Sequence, residues 1–444
     1  MIAKVPRLNR GGIALLSVAA LLVLAACGSS ATPTSQSPIG SPDPTRPGDT
    51  PTLTPTPTST APQVTPTPTG DLSTATPTPI PTRPAPVIDL NAVPDVDVSI
   101  HSVPLEDVWF DTFGQGLAIR LSRITPERRK SLRDILKPIY DPVYGPPDSL
   151  PWLEDRDLVV GYETESGAYA YPIGVLNFRE LVNDVIDGVP VLITFCPLCA
   201  SGVIFDRRLD GRTLLFGNTS SLYQSDLVMY DHQTGSYWGQ TAGEAIVGTL
   251  TDKRLKPLPG VTIPWGRWKE SYPDTKLLIK ASRDEPVFDD LFGREPFRGN
   301  EQPINVDIFP YPVDRDKLDD RISSAEIVVT AEVGSSIKAY PLALIGDGAI
   351  MDEIGGERIV VFSQDNGLSG GAYLATVNGQ VLNFQFTGDF YIDEETGSLW
   401  NFGGLALEGP LEGAKLERLP SRRAFWFSIA ISFPGIDLYL PEDN

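Results

Sequence analysis

Short runs in which apolar residues alternate with polar ones recur along the chain, separated by Gly, Asp or Pro, a pattern typical of β-strands joined by turns. Residues 158–162 and 168–171 predict a strand pair around a Ser-Gly turn. Residues 327–329 and 337–340 repeat the same pattern. The hydrophobic pattern therefore predicts a mainly β protein of the α+β class.

Two short helices are predicted between these strands. Thr125 followed by Pro126 is typical of an N-cap and a first helical turn, and we expect this helix to continue to about residue 136. Asn177 is the expected cap of the second helix, because apolar residues at 178, 181, 182 and 185 fall on one helical face. That helix is expected to end near Gly188.

Strands are predicted again around the cysteines that follow. An apolar run over 189–195 leads directly into Cys196. Residues 202–205 and 213–216 then predict a β-hairpin around an Asp-Gly turn. The Cys-x-x-Cys pair is therefore expected on a loop between strands, without the helix N-terminus that lowers the thiol pKa in thioredoxin-like sites.

Several motifs occur twice in the same order. The pairs are 168–172 with 337–341, 234–238 with 396–400, and Trp265 with Trp426. This repetition predicts two internally duplicated, pseudo-symmetric β-rich domains. In the sequence alignment of the two copies, Cys196 and Cys199 face Ser363 and Asn366, so the second copy lacks both thiols.

The same patterns divide the chain into six parts. They are a signal peptide (1–26), a disordered Thr/Pro-rich tether (27–87), an N-terminal extension (88–152), a first repeat with the Cys-Pro-Leu-Cys motif (153–290), a connector (291–322) and a cysteine-free second repeat (323–444). The tether composition cannot bury enough apolar surface to offset its chain entropy.

The N-terminus has the pattern of a lipoprotein signal. Lys4, Arg7 and Arg10 precede an apolar run from Ile13 that ends in Leu-Ala-Ala-Cys at Cys27. The run is shorter than the ~20 apolar residues of a membrane-spanning helix. Its ending resembles a bacterial lipobox, so we expect lipidation of Cys27 and an anchor on the extracytoplasmic face of the membrane, in the cell envelope.

The chain is acidic, with a formal net charge of −21. An acidic surface without a Lys/Arg cluster opposes phosphate binding, so no nucleic-acid partner is expected. The expected contacts are the membrane, through the lipid, and a small molecule, a metal ion or a protein thiol whose identity the sequence does not specify.

Three roles are open to Cys196 and Cys199 outside the cytoplasm: a structural disulfide, a catalytic thiol redox pair or a metal site. Loop entropy gives a four-residue disulfide ring about 2 kcal/mol of stability. Because the second copy is expected to fold its equivalent loop without cysteines, the sequence favours a chemical role for the pair over a structural one.

A metal site would have few additional ligands to draw on. A closed zinc site takes four ligands, and the sequence contains two histidines, His101 and His232. His232 lies in a predicted turn and is a further candidate ligand beside the two thiols. Cu(I) accepts fewer and softer ligands, so Cu(I) or another soft metal is the expected cofactor if the pair binds metal.

An insertion in the first copy predicts a pocket wall near the thiols. Phe216 and Thr234 are 18 positions apart, whereas Phe384 and Thr396 are 12 positions apart. The extra residues are rich in hydroxyl and amide groups and suit a binding loop, with a plain surface insertion as the alternative. The pocket candidates are Asp206, Arg207, Tyr223, Ser225, Asp226 and Gln240. For Asp206 and Arg207 a hairpin salt bridge is the alternative.

The longer motifs carry a resemblance to a known family. They are 193–199, 205–207, 222–231, 234–240 and the segment with Trp265 and Trp268. From about residue 98 to 440 the chain resembles the bacterial and archaeal domain of unknown function family 3179. Selenocysteine in some relatives implies redox or soft-metal chemistry if it falls at a thiol position.

One residue departs from the pattern of that family. Its members usually have His where Asn177-Phe178-Arg179-Glu180 has Arg179. Arginine cannot act as a neutral base or metal ligand, so any role of that His would be lost here. Two interpretations stay open: a lipid-anchored protein with a Cys-x-x-Cys site for thiol exchange or copper, and a non-catalytic interaction module with a structural disulfide. Whether the protein is an enzyme is left open.

Overall fold

The computed structural model describes residues 88–113, 118–294, 296–297 and 301–441. These residues belong to one compact unit. The predicted signal peptide, the lipidation site Cys27 and the whole predicted tether (27–87) lie outside the described residues. Within the described part, no helix is long and apolar enough to cross a lipid bilayer.

The described chain begins with small elements that precede the first repeat. They are β1 (Val108–Phe110), β2 (Ile119–Arg120), α1 (Pro126–Leu132) and β3 (Val143–Gly145), with short 3-10 helices at Leu105–Asp107 and Pro147–Ser149. The prediction of α1 is confirmed, because the Thr125 hydroxyl accepts a hydrogen bond from the Arg128 backbone N–H at 3.3 Å. The helix is four residues shorter than expected at its C-terminus.

The first repeat is almost entirely β. Its elements are β4 (Leu158–Thr164), β5 (Gly167–Pro172), α2 (Ile173–Arg179), β6 (Leu181–Ile186), β7 (Val189–Cys196), β8 (Ser201–Asp206), β9 (Arg208–Leu209), β10 (Arg212–Thr213), β11 (Phe216–Tyr223), β12 (Asp226–Asp231), β13 (Tyr237–Gly239), β14 (Glu244–Val247), β15 (Lys256–Leu258), β16 (Gly260–Pro264), α3 (Trp265–Ser271) and β17 (Lys276–Lys280). The predicted pair β4–β5 is antiparallel, as expected.

The second repeat follows a connector that contains α4 (Glu301–Ile304) and 3-10 helices at Asp290–Gly293 and Arg315–Lys317. Its elements are β18 (Ile327–Val333), β19 (Ser336–Pro341), α5 (Leu342–Ile345), β20 (Gly348–Ile354), β21 (Glu357–Gln364), β22 (Ser369–Leu374), β23 (Thr376–Val377), β24 (Gln380–Val381), β25 (Phe384–Phe386), β26 (Tyr391–Asp393), β27 (Leu399–Trp400), β28 (Ala406–Glu408), β29 (Arg423–Phe425), α6 (Trp426–Ser432) and β30 (Asp437–Leu438). The molecule is mainly β, as predicted.

The two repeats use the same elements in the same pairing. β4 lies between β5 and β16, and β17 runs parallel to β5. β18 lies likewise between β19 and β29, and β30 runs parallel to β19. The meander β6-β7-β8 corresponds to β20-β21-β22, and β11 to β14 correspond to β25 to β28. This match supports the duplication, which we retain as an interpretation.

The repeats also share a sheet, because β29 of the second repeat pairs with β8 of the first through Arg423 and Gly202. The resulting sheet order is β30-β19-β18-β29-β8-β7-β6, with β15 on β8. Buried residues from both repeats, including Phe195 and Phe362, form one hydrophobic cluster. The turn after β7, which carries the thiols, therefore lies beside elements of the second repeat.

The strand register corrects the sequence alignment by one position. In the first repeat, Ile186 pairs with Val189 and Cys196 pairs with Ser201. In the second repeat, Ile354 pairs with Glu357 and Gln364 pairs with Ser369 at the equivalent points. Cys196 therefore corresponds to Gln364, and Cys199 to Gly367. The match of Cys196 with Ser363 is wrong, because a shift of one residue reverses the face on which a strand side chain lies.

The predicted helix from Asn177 to Gly188 is also wrong. The helix α2 begins at Ile173, and it ends at Arg179 because Glu180 has a positive φ of 56°. The apolar residues after Glu180 form β6, which pairs with β7 along its whole length. The spacing of these apolar residues also fits one face of a helix. In the structure, however, their backbone groups form hydrogen bonds with β7 and not within a helix.

The predicted hairpin after the cysteines is correct only at its turn. Asp210 and Gly211 have positive φ and connect β9 to β10. Residues 213–216 do not return to 202–205, because β8 is already paired with β7 on one edge and with β15 and β29 on the other. From Phe216 the chain instead forms β11, which pairs with β12.

Candidate functional site

The thiols lie on the tight turn between β7 and β8. Cys196 is the last residue of β7, and the Cys199 backbone N–H donates to its carbonyl oxygen at 3.2 Å. Ala200 turns the chain with a φ of 51°, and Ser201 begins β8. Both cysteines are free thiols with at most 1 % of their surface exposed.

The hairpin β11–β12 brings a carboxylate to this turn. Its two-residue tip, Gln224 and Ser225, has positive φ at both positions, as in type I′ turns, although neither residue is glycine. The predicted binding loop is therefore a pair of extended strands. The corresponding hairpin β25–β26 of the second repeat has shorter strands.

Among the residues that the structure describes, Cys196, Cys199 and Asp226 form a group of potential metal ligands, which we call the metal-ligand cluster. Their sulfur and carboxylate oxygen atoms all lie within 4.8 Å of one another, and all three residues are buried. The Cys199 thiol donates to a carboxylate oxygen of Asp226 and to the carbonyl oxygen of Ser225, each at 3.4 Å. Three potential ligands thus converge from two separate elements, β7 with its turn and β12.

Hydrogen bonds fix the orientation of Asp226. The Thr241 backbone N–H donates to one carboxylate oxygen at 2.9 Å, and the Thr241 hydroxyl lies 3.1 Å from the other. The same hydroxyl lies 2.8 Å from the hydroxyl of Ser428, in helix α6 of the second repeat. Ser428 also interacts with Cys199, so the second repeat contributes one wall of the site.

A second buried carboxyl group, Glu180, lies near the cluster. It accepts a hydrogen bond from the side-chain amide of Asn218. Burial is the main cause of the raised pKa of Cys196, and Asp226 and Glu180, when ionised, raise it further. The second repeat has Gly346 at the end of the corresponding helix, also with positive φ. A glutamate in a conformation that favours glycine indicates that its side chain is needed here.

The site strongly disfavours negative charge. Burial raises the pKa of Asp226 to about 6 and that of Glu180 to about 8. Burial also raises the pKa of Cys196, and raises that of Cys199 well above its ordinary value. At neutral pH the cluster therefore holds protons that a bound cation would displace.

At the corresponding junction of the second repeat lies a cation of the protein, Arg267, which the first repeat contributes. Arg267 is the third residue of α3, as Ser428 is the third residue of α6. Its guanidinium bonds Asp365, in the turn after β21, at 3.1 Å, and Asp389, at the tip of β25–β26, at 3.3 Å. In the first repeat, the turn after β7 carries the thiols and the hairpin β11–β12 carries Asp226. In the second repeat, Arg267 bridges the equivalent turn and hairpin tip.

A cleft of about 740 Å³ opens next to the site. Asp226 and Ser428 lie in its wall, whereas the thiols are behind them. Its outer walls carry Tyr223, Arg254 and Lys317, among other residues from both repeats and the connector. Asp226 belongs to both the cleft wall and the metal-ligand cluster. A ligand in the cleft would therefore contact the cluster through the Asp226 carboxylate.

Four of the six predicted pocket residues lie at this site. Asp226 is in the cluster and Ser225 contacts Cys199. Tyr223 lines the cleft, where its hydroxyl accepts a hydrogen bond from Lys317 at 2.9 Å. Gln240 is buried and donates to Thr194 at 2.7 Å and to the carbonyl oxygen of Ser201, the residue that follows the cysteine turn.

Asp206 and Arg207 lie elsewhere. Asp206 is at the other end of β8 from the cysteine turn and pairs with the exposed Arg208 at 2.5 Å. This is the hairpin salt bridge that the sequence left as the alternative, with Arg208 as the partner. Arg207 donates to backbone carbonyl oxygens of Val191 and Leu214, so it stabilises the strands around it.

The structure does not bring His232 to the thiols. His232 follows the far end of β12, and its ring is stacked on Tyr230 and lies 3.1 Å from the Tyr140 hydroxyl. A strand of this length separates it from Asp226 by roughly 20 Å, at about 3.4 Å per residue. Burial lowers the pKa of His232 to about 4, which keeps its imidazole neutral.

Arg179, the departure from the family pattern, bonds Glu285 at 2.8 Å. The next residue, Glu180, is the one whose carboxyl group interacts electrostatically with Cys196 and Asp226. The sequence pattern predicted no role for Glu180, Thr241 or Ser428. The sequence does contain a signal for Glu180. This glutamate follows α2, whereas the second copy has Gly346 after the corresponding helix α5.

Residues 133–435 match the family model described as protein of unknown function, DUF3179. The chain belongs to this family. The match agrees with the resemblance carried by the cysteine and tryptophan motifs, and it includes every residue of the cluster. Comparisons with curated proteins and with solved structures found no match.

Proposed function

We propose that this member of the DUF3179 family binds a thiophilic metal ion with Cys196, Cys199 and Asp226. The observation that carries the proposal is the convergence of two sulfur atoms and a carboxylate oxygen within 4.8 Å in a buried site. Thiolate and carboxylate groups are the ligand types that such ions use in proteins. Three protein ligands leave one position of a tetrahedral site for an external ligand.

The comparison between the repeats supports a bound cation. At the second-repeat junction, Arg267 from helix α3 of the first repeat supplies the positive charge between the turn and the hairpin tip. At the first-repeat junction, the equivalent position of helix α6 holds the uncharged Ser428 and the surrounding ligands are acidic. A metal ion would supply in the first repeat the charge that the guanidinium supplies in the second.

The ligand set admits Cu(I) and Zn(II), which share an affinity for thiolates. Cu(I) is satisfied by two sulfur ligands, whereas Zn(II) takes four ligands and readily accepts a carboxylate oxygen. The contribution of Asp226 to the affinity therefore distinguishes the two ions. A strong contribution indicates Zn(II), and a negligible one indicates Cu(I).

Thiol exchange is the competing function, and the geometry supports it less. An attacking thiol must be accessible and ionised, whereas both thiols are buried and their pKa values are raised. The structural disulfide is the third alternative. It would leave Asp226 and Glu180 as buried acids without a partner ion.

We further propose that the protein presents this site outside the cytoplasm, tethered by lipid at Cys27. The lipobox and the Thr/Pro-rich segment support this localisation. Mass spectrometry of the native N-terminus tests it. A diacylated or triacylated Cys27 at the mature N-terminus is the expected result, and an unmodified, uncleaved N-terminus would contradict it.

Metal titration of the full chain tests the binding site. Replacing Cys27 with Ser leaves Cys196 and Cys199 as the thiols of the protein. Reduced protein is titrated anaerobically with Cu(I) against a competing chelator, and separately with Co(II) as a spectroscopic substitute for Zn(II). Binding of one ion per chain with sulfur-to-metal charge-transfer absorption is expected.

Variants locate the ion. Cys196→Ser and Cys199→Ser should each weaken binding at least tenfold, because each removes a ligand. Asp226→Asn should do the same if the ion is Zn(II) or Co(II). Asp206→Asn is the matched control, since Asp206 is a carboxylate on β8 away from the turn, and it should leave the affinity unchanged. Absence of binding in the reduced parent protein would refute the proposal.

A further inference from the structure

The metal-ligand cluster is enclosed in the folded protein. Cys196 and Cys199 are at most 1 % exposed, and Asp226 is 8 % exposed. An ion therefore reaches the two sulfur atoms only when part of the surrounding fold moves. Segments that open locally have few buried apolar contacts and hydrogen bonds that solvent can replace. One segment beside the cluster has both properties.

That segment is residues 311–317 of the connector, which we call the strap. Five of its seven residues are exposed, and the other two are half-buried. Phe309 and Leu318, on either side of it, pack against a hydrophobic cluster, whereas none of the strap residues joins one among the described residues. Apolar packing therefore anchors the chain at both ends of the strap but does not anchor the stretch between them.

Hydrogen bonds hold the strap to the tip of the hairpin β11–β12. Three of them recur at intervals of three strap residues and run from the Tyr311 backbone N–H to Ser225 Oγ (3.3 Å), from the Asp314 backbone N–H to Gln224 Oε1 (2.6 Å) and from Lys317 Nζ to the Tyr223 hydroxyl (2.9 Å). The Tyr311 hydroxyl also donates to Asp111 at 2.6 Å, which anchors the start of the strap. The three bonds to the tip are therefore the contacts that an outward movement of the strap would break.

The tip beneath the strap is buried, although hairpin tips usually lie at the surface. Gln224 and Ser225 are 3 % and 0 % exposed. Both have a positive φ, which favours glycine, yet glycine would offer the strap no side-chain acceptor. The corresponding tip of the second repeat does contain a glycine, Gly388, and receives no hydrogen bond from the connector among the described contacts. The bonds to the strap thus explain why Gln224 and Ser225 occupy the tip.

The strap also lies between two spaces. On one side, Asp316 and Lys317 border the cleft of about 740 Å³, and on the other side residues 312–314 border a cavity of about 260 Å³. Gln224 borders both spaces. The bond between Gln224 and Asp314 therefore lies between the two, and its loss would join them over the hairpin tip.

We propose that the strap is the gate of the metal-ligand cluster, and that its release from the hairpin tip admits and frees the metal ion. The proposal rests on the metal-binding function proposed above. Asp226 follows the tip directly, and the Ser225 carbonyl oxygen accepts a hydrogen bond from the Cys199 thiol at 3.4 Å. Once the strap is released, the tip can move away from Cys199 and carry Asp226 with it.

Alkylation of metal-free protein tests the gate without any ion. Reduced Cys27→Ser protein is treated with iodoacetamide at urea concentrations below the unfolding transition. A local opening exposes little surface, so the alkylation rate should change little with urea. A urea dependence as steep as that of global unfolding would overturn the proposal, because it would show that the thiols react only in unfolded protein.

Variants identify the segment that opens. The triple variant Tyr223→Phe/Gln224→Met/Ser225→Ala removes all three acceptors without a change of charge, and it should be alkylated at least tenfold faster than the parent. Tyr223→Phe and Ser225→Ala alone should each give a roughly fivefold increase, and they decide if the triple variant does not fold. Thr387→Ala is the control, because its hydroxyl bond lies at the hairpin tip of the second repeat and its loss should leave the rate unchanged. Equal rates in the parent and the tip variants would overturn the proposal.

Metal exchange links the gate to the ion. Stopped-flow absorbance measures the uptake of Co(II), and transfer to an excess of EDTA measures its release. A gate admits the ion in both directions, so the tip variants should take up and release Co(II) faster than the parent. Faster release with unchanged uptake would overturn the proposal, since it would show a lost contact to the ion and not an easier opening. If the parent binds no Co(II), the metal-binding function fails, whereas the alkylation rates still decide whether the strap opens.

Discussion

The side-chain amide of Asn218 donates a hydrogen bond to the carboxyl group of Glu180 in the interior of the protein. Asn218 is itself held in place, because its backbone N–H donates to Asp134 at 2.8 Å. The bond holds the Glu180 carboxyl group in the interior, where its pKa is raised by burial and, to a smaller extent, by Asp226. The protein thus maintains a protonated acid next to two buried thiols.

Replacing Glu180 with Gln should alter the pH dependence of stability in metal-free protein. The carboxyl group has an ordinary pKa of 4.5 and a pKa of about 8 in the folded protein. Between these values the folded state holds the proton more tightly, so the stability that the protonated group contributes is complete below about pH 4.5 and is lost as the pH rises through about 8.

Urea unfolding at about pH 5 and about pH 8 measures this effect. The parent should lose a few kcal/mol more over this interval than Glu180→Gln, which cannot ionise. Glu395→Gln is the control, because Glu395 is exposed and should follow the parent curve. Parallel curves for the parent and Glu180→Gln would show that Glu180 is ionised at neutral pH.

Alkylation of the thiols should be slow in the folded protein. The thiolate reacts, and burial raises the pKa of both Cys196 and Cys199. In the Cys27→Ser background at about pH 8, we expect iodoacetamide to react at least tenfold more slowly with native than with urea-unfolded protein. Mass spectrometry of quenched samples gives both rates. Equal rates would favour thiol exchange over metal binding.

Arg179→Ala should leave the metal affinity unchanged. Arg179 bonds Glu285 rather than any residue of the cluster. The pair is partly exposed, so its loss should lower the free energy of unfolding by no more than about 1 kcal/mol. Metal titration and urea unfolding of the variant measure the two quantities. A tenfold loss of affinity would show that Arg179 serves the site despite its distance from the cluster's hydrogen bonds.

The sequence predicted the strands of the scaffold because each is marked locally. The β4–β5 hairpin and the run into Cys196 follow from alternating or continuous apolar residues bounded by turn residues. It did not predict β6, since Leu181, Val182 and Val185 fit a helical face equally well. Their partner strand, β7, decided the outcome, and strand pairing is not visible in a short window.

The thiols were found from sequence because Cys-x-x-Cys is a local motif. Asp226 was found among the pocket candidates because the first copy has extra residues there. Thr241 and Ser428 were missed because they reach Asp226 across the fold, and Ser428 comes from the other repeat. His232 was a candidate because of its residue type, whereas its place at the far end of β12 depends on the strand register.

Two buried aspartates should contribute equally to the fold of their repeats. The Trp238 indole N–H donates to Asp231 at 3.1 Å, and that of Trp400 donates to Asp393 at 2.9 Å. In both repeats the Thr three residues after the Asp also donates to it. Asp231→Ala and Asp393→Ala should each lower the free energy of unfolding by about 1–3 kcal/mol, because buried donors lose their acceptor.

Urea unfolding of these two variants checks the equivalence of the repeats. Thr251→Ala is a suitable control for the first repeat, since its hydroxyl bonds backbone oxygens near the surface. Its effect should be smaller than that of Asp231→Ala. A large loss for one aspartate and none for the other would argue that the repeated motif is structural in only one repeat.

Placing arginine at position 428 should convert the first repeat to the arrangement of the second. Ser428 occupies the position in α6 that Arg267 occupies in α3. A guanidinium there would lie against Asp226 and the thiols and supply the positive charge in place of the metal ion. Ser428→Arg should therefore fold, yet bind Co(II) or Cu(I) at least tenfold more weakly than the parent.

The control for Ser428→Arg is Ser432→Arg, which adds the same charge at the end of the same helix. Ser432 lies in the cleft wall but has no hydrogen bond to Thr241 or Asp226 among the described contacts. If both variants bind the metal ion equally weakly, the cause would be general repulsion between the ion and the added positive charge. Unchanged affinity in Ser428→Arg, with the fold intact by circular dichroism, would show that Arg267 at the second-repeat junction and the ion at the first-repeat junction are not equivalent.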